Sequence, residues 1–249
     1  MKKKVSKEEV KAYFGASVVV DHYVEATIRL GLWASEAKIF ESVFSKDAHL
    51  LDLGCGAGRI SFGLKQLGYQ SLEGSDLSTG MIAAAQALSE ATESGIVFQV
   101  ADATRLPYGN DSFDGIIFGF NGLMQIPGIE NRLKAFKEIR RIIKPGGKFV
   151  FTTHDREHYQ FGDFWAEEAK RWNGGKQGED LVEFGDRYEP TALGDLFMHV
   201  PSREEIKTVL QDSGWTLLRV VERSALAIES EQVRAFSDDC LFWVVESTP

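Results

Sequence analysis

Residues 50–58 read LLDLGCGAG, and this short stretch sets the architecture expected of the 249-residue chain. Its apolar first half predicts a buried strand, and its three glycines predict a sharp turn into the helix that follows. Glycine adopts left-handed backbone freely, and it lets a ligand approach the main chain where a Cβ would clash. The G-x-G-x-G spacing departs from the G-x-G-x-x-G of dinucleotide sites, because Arg59 stands where that pattern needs glycine or alanine.

Strands and helices alternate along the chain after this turn. The apolar runs predict strands at residues 69–74, 96–100, 113–118 and 148–153. The helices expected between them cover residues 59–67, 78–94 and 130–143. This alternation is typical of a doubly wound α/β fold, in which helices cover both faces of a parallel sheet. Two further strands, at 215–221 and 240–245, have no crossover helix between them, so we expect them to run antiparallel.

Acidic residues stand at the ends of the two strands that follow the glycine turn. Asp76 lies 18 residues beyond Gly58, and Asp102 ends the next strand. The carboxyl ends of parallel strands meet at one edge of the sheet, and in open α/β sheets that edge is the ligand crevice. A carboxylate at the position of Asp76 can accept both hydroxyls of a ribose. The turn and the two acids therefore predict a site for a ligand that contains a ribose.

Five motifs in order resemble those of the class I S-adenosylmethionine-dependent methyltransferases, of the small methyltransferase-domain type. They are LLDLGCGAG at 50–58, EGSDLS at 73–78, VADATRLPY at 100–108, FDGIIFGFNGLMQI at 113–126 and IIKPGGKFVFTTHD at 142–155. The resemblance is strong over residues 45–153 and looser over 195–247. It implies a seven-stranded, mostly parallel sheet of order 3-2-1-4-5-7-6 with the last strand antiparallel, and S-adenosyl-L-methionine as cofactor.

The resemblance also implies which residues hold that cofactor. The glycine loop would run alongside the methionine and ribose portion of the cofactor. Asp76 would hold the ribose hydroxyls, and Leu77 would flank the adenine. Asp102 and Ala103 would face the adenine amino edge. The expected cofactor-binding residues at the strand ends are Gly54, Cys55, Gly56, Gly58, Asp76, Leu77, Asp102, Ala103, Phe120 and Asn121. Phe120 and Asn121 would border the methionine end.

Four further residues have both a functional and a structural interpretation. Tyr23 and Trp33 are candidates for a helical lid over the cofactor, and aromatic residues at such spacing also pack cores. Arg59 could pair with the methionine carboxylate or lie on a helix surface. His154 follows the fifth strand at the ligand edge, where it could take a proton from an acceptor or serve only as a turn residue. It is the one catalytic candidate.

We expect a single methyltransferase domain over residues 1–249. It divides into an N-terminal helical lid at 1–45, a cofactor-binding core at 46–154, an inserted cap at 155–198 and the rest of the core sheet at 199–249. The alternation of predicted strands and helices stops in the insert, where residues 155–190 carry ten acidic and five basic residues. The insert is rich in aromatic residues, which either line an acceptor pocket or pack the insert onto the sheet. They are Tyr159, Phe161, Phe164, Trp165, Trp172, Phe184 and Tyr188.

Composition excludes several classes of protein. The chain has 28 Lys and Arg against 37 Asp and Glu, a net charge of −9, which disfavours nucleic acid and anionic membranes as partners. Cys55 and Cys240 cannot form a disulfide framework, and no apolar run suits a signal peptide or a membrane span. We therefore expect a cytoplasmic protein. No cluster of residues has the spacing of metal ligands, so we expect no metal site.

The sequence favours methyl transfer from S-adenosylmethionine to a nitrogen or oxygen nucleophile of a small or medium-sized metabolite. The alternative is a non-catalytic protein that binds S-adenosylmethionine or S-adenosylhomocysteine, since both functions need the same pocket. A nicotinamide dehydrogenase is disfavoured by the glycine spacing.

Overall fold

The computed structural model describes residues 4–248, and Tyr159 by its backbone alone, so the ends of the expected lid and core at 1–3 and 249 lie outside the described residues. The α-helices are α1 (Lys7–Gly15), α2 (Ser17–Arg29), α3 (Ala34–Val43), α4 (Arg59–Gln66), α5 (Thr79–Ala91), α6 (Ile129–Ile142), α7 (Gly162–Asn173), α8 (Arg203–Asp212), α9 (Arg223–Leu226) and α10 (Glu231–Phe236). Short 3-10 helices cover Gly122–Gln125 and Tyr159–Phe161. The strands are β1 (His49–Leu53), β2 (Ser71–Asp76), β3 (Val97–Val100), β4 (Phe113–Phe118), β5 (Ile143–Thr153), β6 (Asp186–Thr191), β7 (Gly194–His199), β8 (Trp215–Glu222) and β9 (Leu241–Ser247).

Seven strands form the central sheet in the order β3-β2-β1-β4-β5-β9-β8. Strands β1 to β5 run parallel, and β9 runs antiparallel to both β5 and β8. Counted along this sheet alone, β8 and β9 are the sixth and seventh strands. The expected doubly wound order 3-2-1-4-5-7-6 with an antiparallel last strand is therefore confirmed.

Both faces of the sheet are buried because successive residues of a strand point to opposite sides. In β1, Leu51 and Leu53 belong to an apolar layer with Phe136 of α6, whereas Leu50 belongs to the opposite layer with Phe40 of α3. All three leucines are almost completely buried. A continuous apolar run such as β1 is what a central parallel strand covered on both faces requires.

The acid inside the apolar strand β1 holds the start of the helix that follows the glycine turn. Oδ2 of Asp52 accepts hydrogen bonds from the backbone N–H of Ser61 at 3.1 Å and from its hydroxyl at 2.6 Å. Burial raises the pKa of Asp52 to about 7, against the opposing effect of the bonds from Ser61 and the charge of Arg59. This carboxyl therefore serves the fold rather than a ligand.

The insert contains regular structure that its sequence did not predict. Helix α7 is followed by the hairpin β6–β7, which forms a separate two-stranded sheet. Helix α1 packs on this hairpin, with Val5 and Val10 against Phe197. The hydroxyls of Tyr13 and Thr191 lie 3.2 Å apart, and the N–H of Val5 donates to the carbonyl of Asp180 at 3.0 Å. The N-terminal helix and the insert thus form one continuous cover.

A buried polar cluster lies at the base of the insert. Nδ1 of His199 is 2.9 Å from Oδ1 of Asp186, whose other oxygen accepts from the N–H groups of Val182 and Glu183. Single side-chain atoms of Glu183, Asp186 and His199 come within 4.8 Å of one another, a proximity that the sequence spacing did not reveal. Nη2 of Arg132 lies 2.9 Å from Oε2 of Glu183, so a cation of the chain already balances the acids.

Among residues 4–248, no helix has both the length and the apolar composition that crossing a bilayer requires.

Candidate active site

A cavity of about 810 Å³ opens at the carboxyl edge of the sheet, between the sheet and the cover formed by α1 and the hairpin. This volume falls within the roughly 300–1,000 Å³ of typical ligand sites. Ten of the expected site residues line it, namely Tyr23, Gly54, Gly56, Asp76, Leu77, Asp102, Ala103, Phe120, Asn121 and His154. The topology brings nine of them together, because β1 to β5 run parallel and end at one edge, and Tyr23 reaches that edge from α2.

The glycine loop adopts left-handed backbone at all three glycines, with φ of 65° at Gly54, 54° at Gly56 and 90° at Gly58. A Cβ added to Gly54 would lie 2.6 Å from the ring of Phe118. At Gly56 the nearest atom to an added Cβ would be Cδ1 of Tyr23, 3.9 Å away, so this glycine faces open space in the cavity. A side chain at either position would be strained, and at Gly56 it would fill space that a ligand can use.

Asp76 holds the glycine loop from the end of the neighbouring strand. Its Oδ2 accepts from the N–H of Gly56 at 3.0 Å, and its Oδ1 accepts from the N–H of Ser78 at 2.8 Å. Burial raises the pKa of this carboxyl above its usual range, and these backbone N–H groups only partly oppose the effect. Each carboxylate oxygen has more than one lone pair, so Asp76 can accept further hydrogen bonds from a ligand in the cavity.

Asp102 is tied to the N-terminal helix. Its Oδ1 accepts from the N–H and the hydroxyl of Thr104, at 2.9 and 2.8 Å, and its Oδ2 lies 2.8 Å from Nζ of Lys7. Burial alone would raise the pKa of Asp102, but the bonds from Lys7 and Thr104 outweigh it and hold the pKa below its usual value. Lys7 also lines the cavity, and no signal in the sequence singled it out.

Aromatic rings from α2 and α10 meet the end of β4. The centroid of the Phe120 ring lies 6.1 Å from the centroid of the Tyr23 ring. Phe120 also stacks on Phe236, with a centroid distance of 5.5 Å. Phe120 and Asn121 both have positive φ, 46° and 61°, which is uncommon for residues other than glycine and typical of functional turns. Burial raises the pKa of the Tyr23 phenol, so this hydroxyl stays protonated at neutral pH.

Arg59 is not among the residues that line the cavity, so its placement does not support the expected pairing with a cofactor carboxylate. Its guanidinium makes two hydrogen bonds to the carboxylate of Glu36, both at 2.6 Å, and a third to the carbonyl of Gly31 at 2.9 Å. The group also lies 4.3 Å from the centroid of the Trp33 ring. Its donors are therefore used to fasten α3 to the start of α4.

Trp33, Cys55 and Gly58 are likewise absent from the cavity lining in the described part of the chain. Trp33 is buried between Arg59 and Phe120 as a core aromatic. Cys55 packs in the apolar layer of α3 and α4, where burial raises the pKa of its thiol. Gly58 precedes α4 as its N-cap residue. These three residues lie behind the residues that line the cavity. Their placement does not support direct contact with a cofactor.

The second half of the cavity comes from residues that the sequence did not identify. Residues 191–193 at the hairpin tip, Leu196 and Met198 face it from the insert, and Gln125 and Ile126 face it from the 3-10 helix. Residues 236–238, at the end of α10 and just after it, line one side. Apart from Gln125 and Ile126, which end the motif at 113–126, these positions carry no motif, and only the tertiary fold brings them to the site.

The aromatic residues noticed in the insert pack within it rather than lining the cavity. The ring of Phe184 contacts those of Trp165 and Trp172 at 5.8 and 6.1 Å, and Tyr188 contacts Phe197 at 5.8 Å. Packing, within the insert rather than onto the sheet, is therefore shown for four rings of this set, whereas Phe161 and Phe164 are exposed and the side chain of Tyr159 is not described.

Comparison with known proteins identifies the same region. A family model described as a methyltransferase domain matches residues 51–151. A demethylmenaquinone methyltransferase of Leptospira interrogans is 35% identical over 114 residues, 44% of this chain and 44% of that protein. A ubiquinone/menaquinone biosynthesis C-methyltransferase UbiE of Rickettsia massiliae is 27% identical over 198 residues, 74% of each chain.

Among solved structures, a SAM-dependent methyltransferase of Methanosarcina mazei superposes with a TM-score of 0.69 and 19% identity, covering 84% of this chain and 97% of that one. The chain spans about half the length, or less, of the first curated relatives it matches. The matched domain, the strand order and the glycine loop agree: residues 51–151 form a methyltransferase domain, and the sheet around it has the fold of the SAM-dependent methyltransferases.

Proposed function

We propose that this protein transfers a methyl group from S-adenosyl-L-methionine to a small or medium-sized metabolite. The observation that carries the proposal is that one cavity joins the glycine loop and Asp76 to the hairpin tip at residues 191–193. One continuous space can therefore hold a cofactor at the sheet edge and an acceptor beneath the insert. Holding two reactants in line can supply roughly 7–11 kcal/mol of a reaction barrier.

The residues present fit the cofactor. Gly56 offers the open space of a cradle that a Cβ would fill, and Asp76 offers carboxylate oxygens to ribose hydroxyls. The residues that would hold the cofactor are Gly54, Gly56, Asp76, Leu77, Asp102, Ala103, Phe120 and Asn121. When bound, the cofactor supplies a sulfonium that can release its methyl group. The rings of Tyr23 and Phe120 present aromatic faces that stabilise a nearby cation.

The acceptor would bind in the part of the cavity that the cover closes. Its walls there are mostly apolar, with Ile126, Leu193, Leu196 and Met198 among them and the Gln125 amide as a polar group. A site covered by α1 and the hairpin suits a metabolite and excludes a folded protein or an RNA. The net charge of −9 also disfavours a nucleic acid.

The nucleophile of the acceptor is nitrogen, oxygen or carbon. The sequence favoured the first two, and the quinone-pathway C-methyltransferases among the relatives add the third.

Turnover tests this proposal. The protein would be incubated with S-adenosylmethionine labelled in its methyl group and with a panel of small phenols, amines and quinols. We expect the label to appear in one class of acceptor, with release of S-adenosylhomocysteine. Cofactor binding without label transfer to any acceptor would favour the non-catalytic binding protein, and absence of cofactor binding would contradict both functions.

A further inference from the structure

A chain of three polar groups lies at the end of β5, beside the cavity. Nδ1 of His154 is 3.1 Å from the carbonyl oxygen of Asp239, and its Nε2 is 3.4 Å from Nδ2 of Asn121. The backbone N–H of His154 also points to Sδ of Met124 at 3.1 Å. The imidazole is therefore held on two sides, and His154 lines the cavity.

The contacts determine the tautomer of this imidazole. A carbonyl oxygen can only accept a hydrogen bond, so Nδ1 carries the proton that goes to Asp239, and Nε2 of the neutral ring keeps its lone pair. Asn121 donates to that lone pair at 3.4 Å, a distance at the long end for a hydrogen bond. A ligand with a closer O–H or N–H can take its place.

Asn121 is itself held independently of His154. Its backbone N–H donates to Oγ1 of Thr152 at 2.7 Å, and its φ of 61° turns the chain sharply after β4. It is thus a positioning residue for the ring of His154.

The surroundings keep this histidine uncharged. Burial lowers the pKa of His154 below 6.5, the Asp239 carbonyl and the Asp238 carboxylate oppose the shift, and the charges of Arg187 and Arg223 add to it. Nη2 of Arg223 also donates to the carbonyl of Ser237 at 3.0 Å, which holds the segment carrying Asp238 and Asp239 against the site. At neutral pH the ring is a base ready to accept a proton.

We propose that His154 is the general base of the reaction, accepting through Nε2 the proton that an acceptor O–H or N–H loses as it is methylated. This role rests on the proposed function. The acceptor's lone pair forms the bond to the methyl carbon, and the electrons of the carbon–sulfur bond stay on sulfur. The acceptor's proton goes to Nε2 of His154, so one positive charge moves from sulfur to the imidazole. The imidazolium then returns its proton to water.

His22 is the other histidine that lines the cavity. Its ring stacks on Phe236 at 5.2 Å and meets the edge of Tyr23 at 5.6 Å. These ring contacts do not determine which nitrogen of His22 carries the proton. The contacts of His154, by contrast, assign the proton to Nδ1 and the lone pair to Nε2. The assignment to His154 is therefore specific enough to test one histidine against the other.

The first test reads the ring itself and does not require turnover. Nitrogen-15 NMR of the imidazoles would be recorded on the protein saturated with S-adenosylhomocysteine, with His154→Gln identifying the signal. We expect the neutral Nδ1–H tautomer and a pKa below 6.5. A proton on Nε2 at neutral pH, or a pKa at or above the ordinary 6.5 of histidine, would overturn the proposal.

The second test compares kinetics of His154→Gln and His49→Gln. Glutamine can still donate toward Asp239 but cannot take up the proton, so kcat should fall by about 10²–10⁴-fold. Affinity for S-adenosylhomocysteine should stay within about threefold, and the acidic limb of the pH–rate profile should disappear. His49 is the control, because its Nδ1 also lies near a backbone carbonyl, Ser112 at 3.2 Å, but at the opposite end of the sheet.

Three results would separate the possible failures. An unchanged kcat and acidic limb in His154→Gln would overturn the role of His154 alone, and loss of that limb in His22→Gln instead would assign it to His22. Failure of the wild-type protein to bind S-adenosylhomocysteine would overturn the proposed function, and the role of His154 with it.

Discussion

Nζ of Lys7 lies 2.8 Å from Oδ2 of Asp102, so the first helix of the chain is fastened directly to the acid that ends the third strand. The two residues are 95 positions apart, and both line the cavity. Since α1 also packs on the hairpin of the insert, this ion pair joins three parts of the molecule across the entrance to the site.

Removing this ion pair should loosen the cover with little effect on global stability. Both side chains are partly exposed, and such pairs contribute about 0.2–1 kcal/mol. We expect Lys7→Ala to lower the free energy of unfolding by less than about 1 kcal/mol while the amides of α1 exchange with deuterium clearly faster. Lys137→Ala, on α6 away from the cavity, is the control. Unchanged exchange in Lys7→Ala would mean that apolar packing alone holds the helix.

The pair of Arg59 and Glu36 should matter for folding more than for the ligand. Both side chains are buried, and removing one partner of a buried pair costs about 3–5 kcal/mol because the other charge is left uncompensated. Arg59→Met should therefore lower the free energy of unfolding in urea by that amount, and the double variant with Glu36→Leu should recover much of it. If Arg59→Met were as stable as the wild type but bound S-adenosylhomocysteine tenfold more weakly, Arg59 would be a ligand residue after all.

Asp52 predicts a dependence of stability on pH with a definite sign. Burial raises its pKa to about 7, so the folded state holds this proton where the unfolded chain has lost it. The contribution of Asp52 to stability is present below its unfolded pKa of about 3.9 and is lost as the pH rises to about 7. As the pH rises over this range, the wild type should lose unfolding free energy relative to Asp52→Asn, whose side chain does not titrate. A difference independent of pH would mean that Asp52 has an ordinary pKa in the folded protein.

The insert should influence the acceptor through its hairpin and not through its aromatic residues. Leu196→Ala removes apolar surface from the cavity wall, so we expect KM for the acceptor to rise several-fold with little change in S-adenosylhomocysteine affinity. Phe164→Ala, in α7 outside the lining, is the matched control in the same insert. Equal effects of the two substitutions on KM would indicate a general loosening of the insert.

The sequence predicted the parts of the fold that local signals determine. Glycine spacing and apolar runs act within a few positions, and they identified the loop after β1 and Asp76, whereas the strand order was implied by the family resemblance. Residues joined across long stretches of chain could not be predicted this way. Glu36 has the sequence context of an exposed helical residue, yet it binds Arg59, and Lys7 reaches Asp102. The hairpin was missed because β6 is polar and contains Pro190, which is atypical of strands.

The candidate site likewise contains one set of residues that the sequence predicted and another that it did not. Residues at the ends of β1, β2 and β4 could be predicted because strand ends of a parallel sheet share one edge. The other wall, at residues 191–198 and 236–238, depends on how the insert and α10 fold back over that edge.

Calorimetric titration of S-adenosylhomocysteine into the wild type and Asp76→Ala tests the central claim most directly, with circular dichroism confirming that the variant is folded. We expect micromolar binding to the wild type, about −8 kcal/mol. The variant loses the proposed acceptor of the ribose hydroxyls, and hydrogen bonds to a charged group contribute about 1.5–3 kcal/mol each, so its affinity should fall at least tenfold. Equal affinity in a folded Asp76→Ala variant, or no binding to the wild type, would contradict a cofactor site at this edge of the sheet.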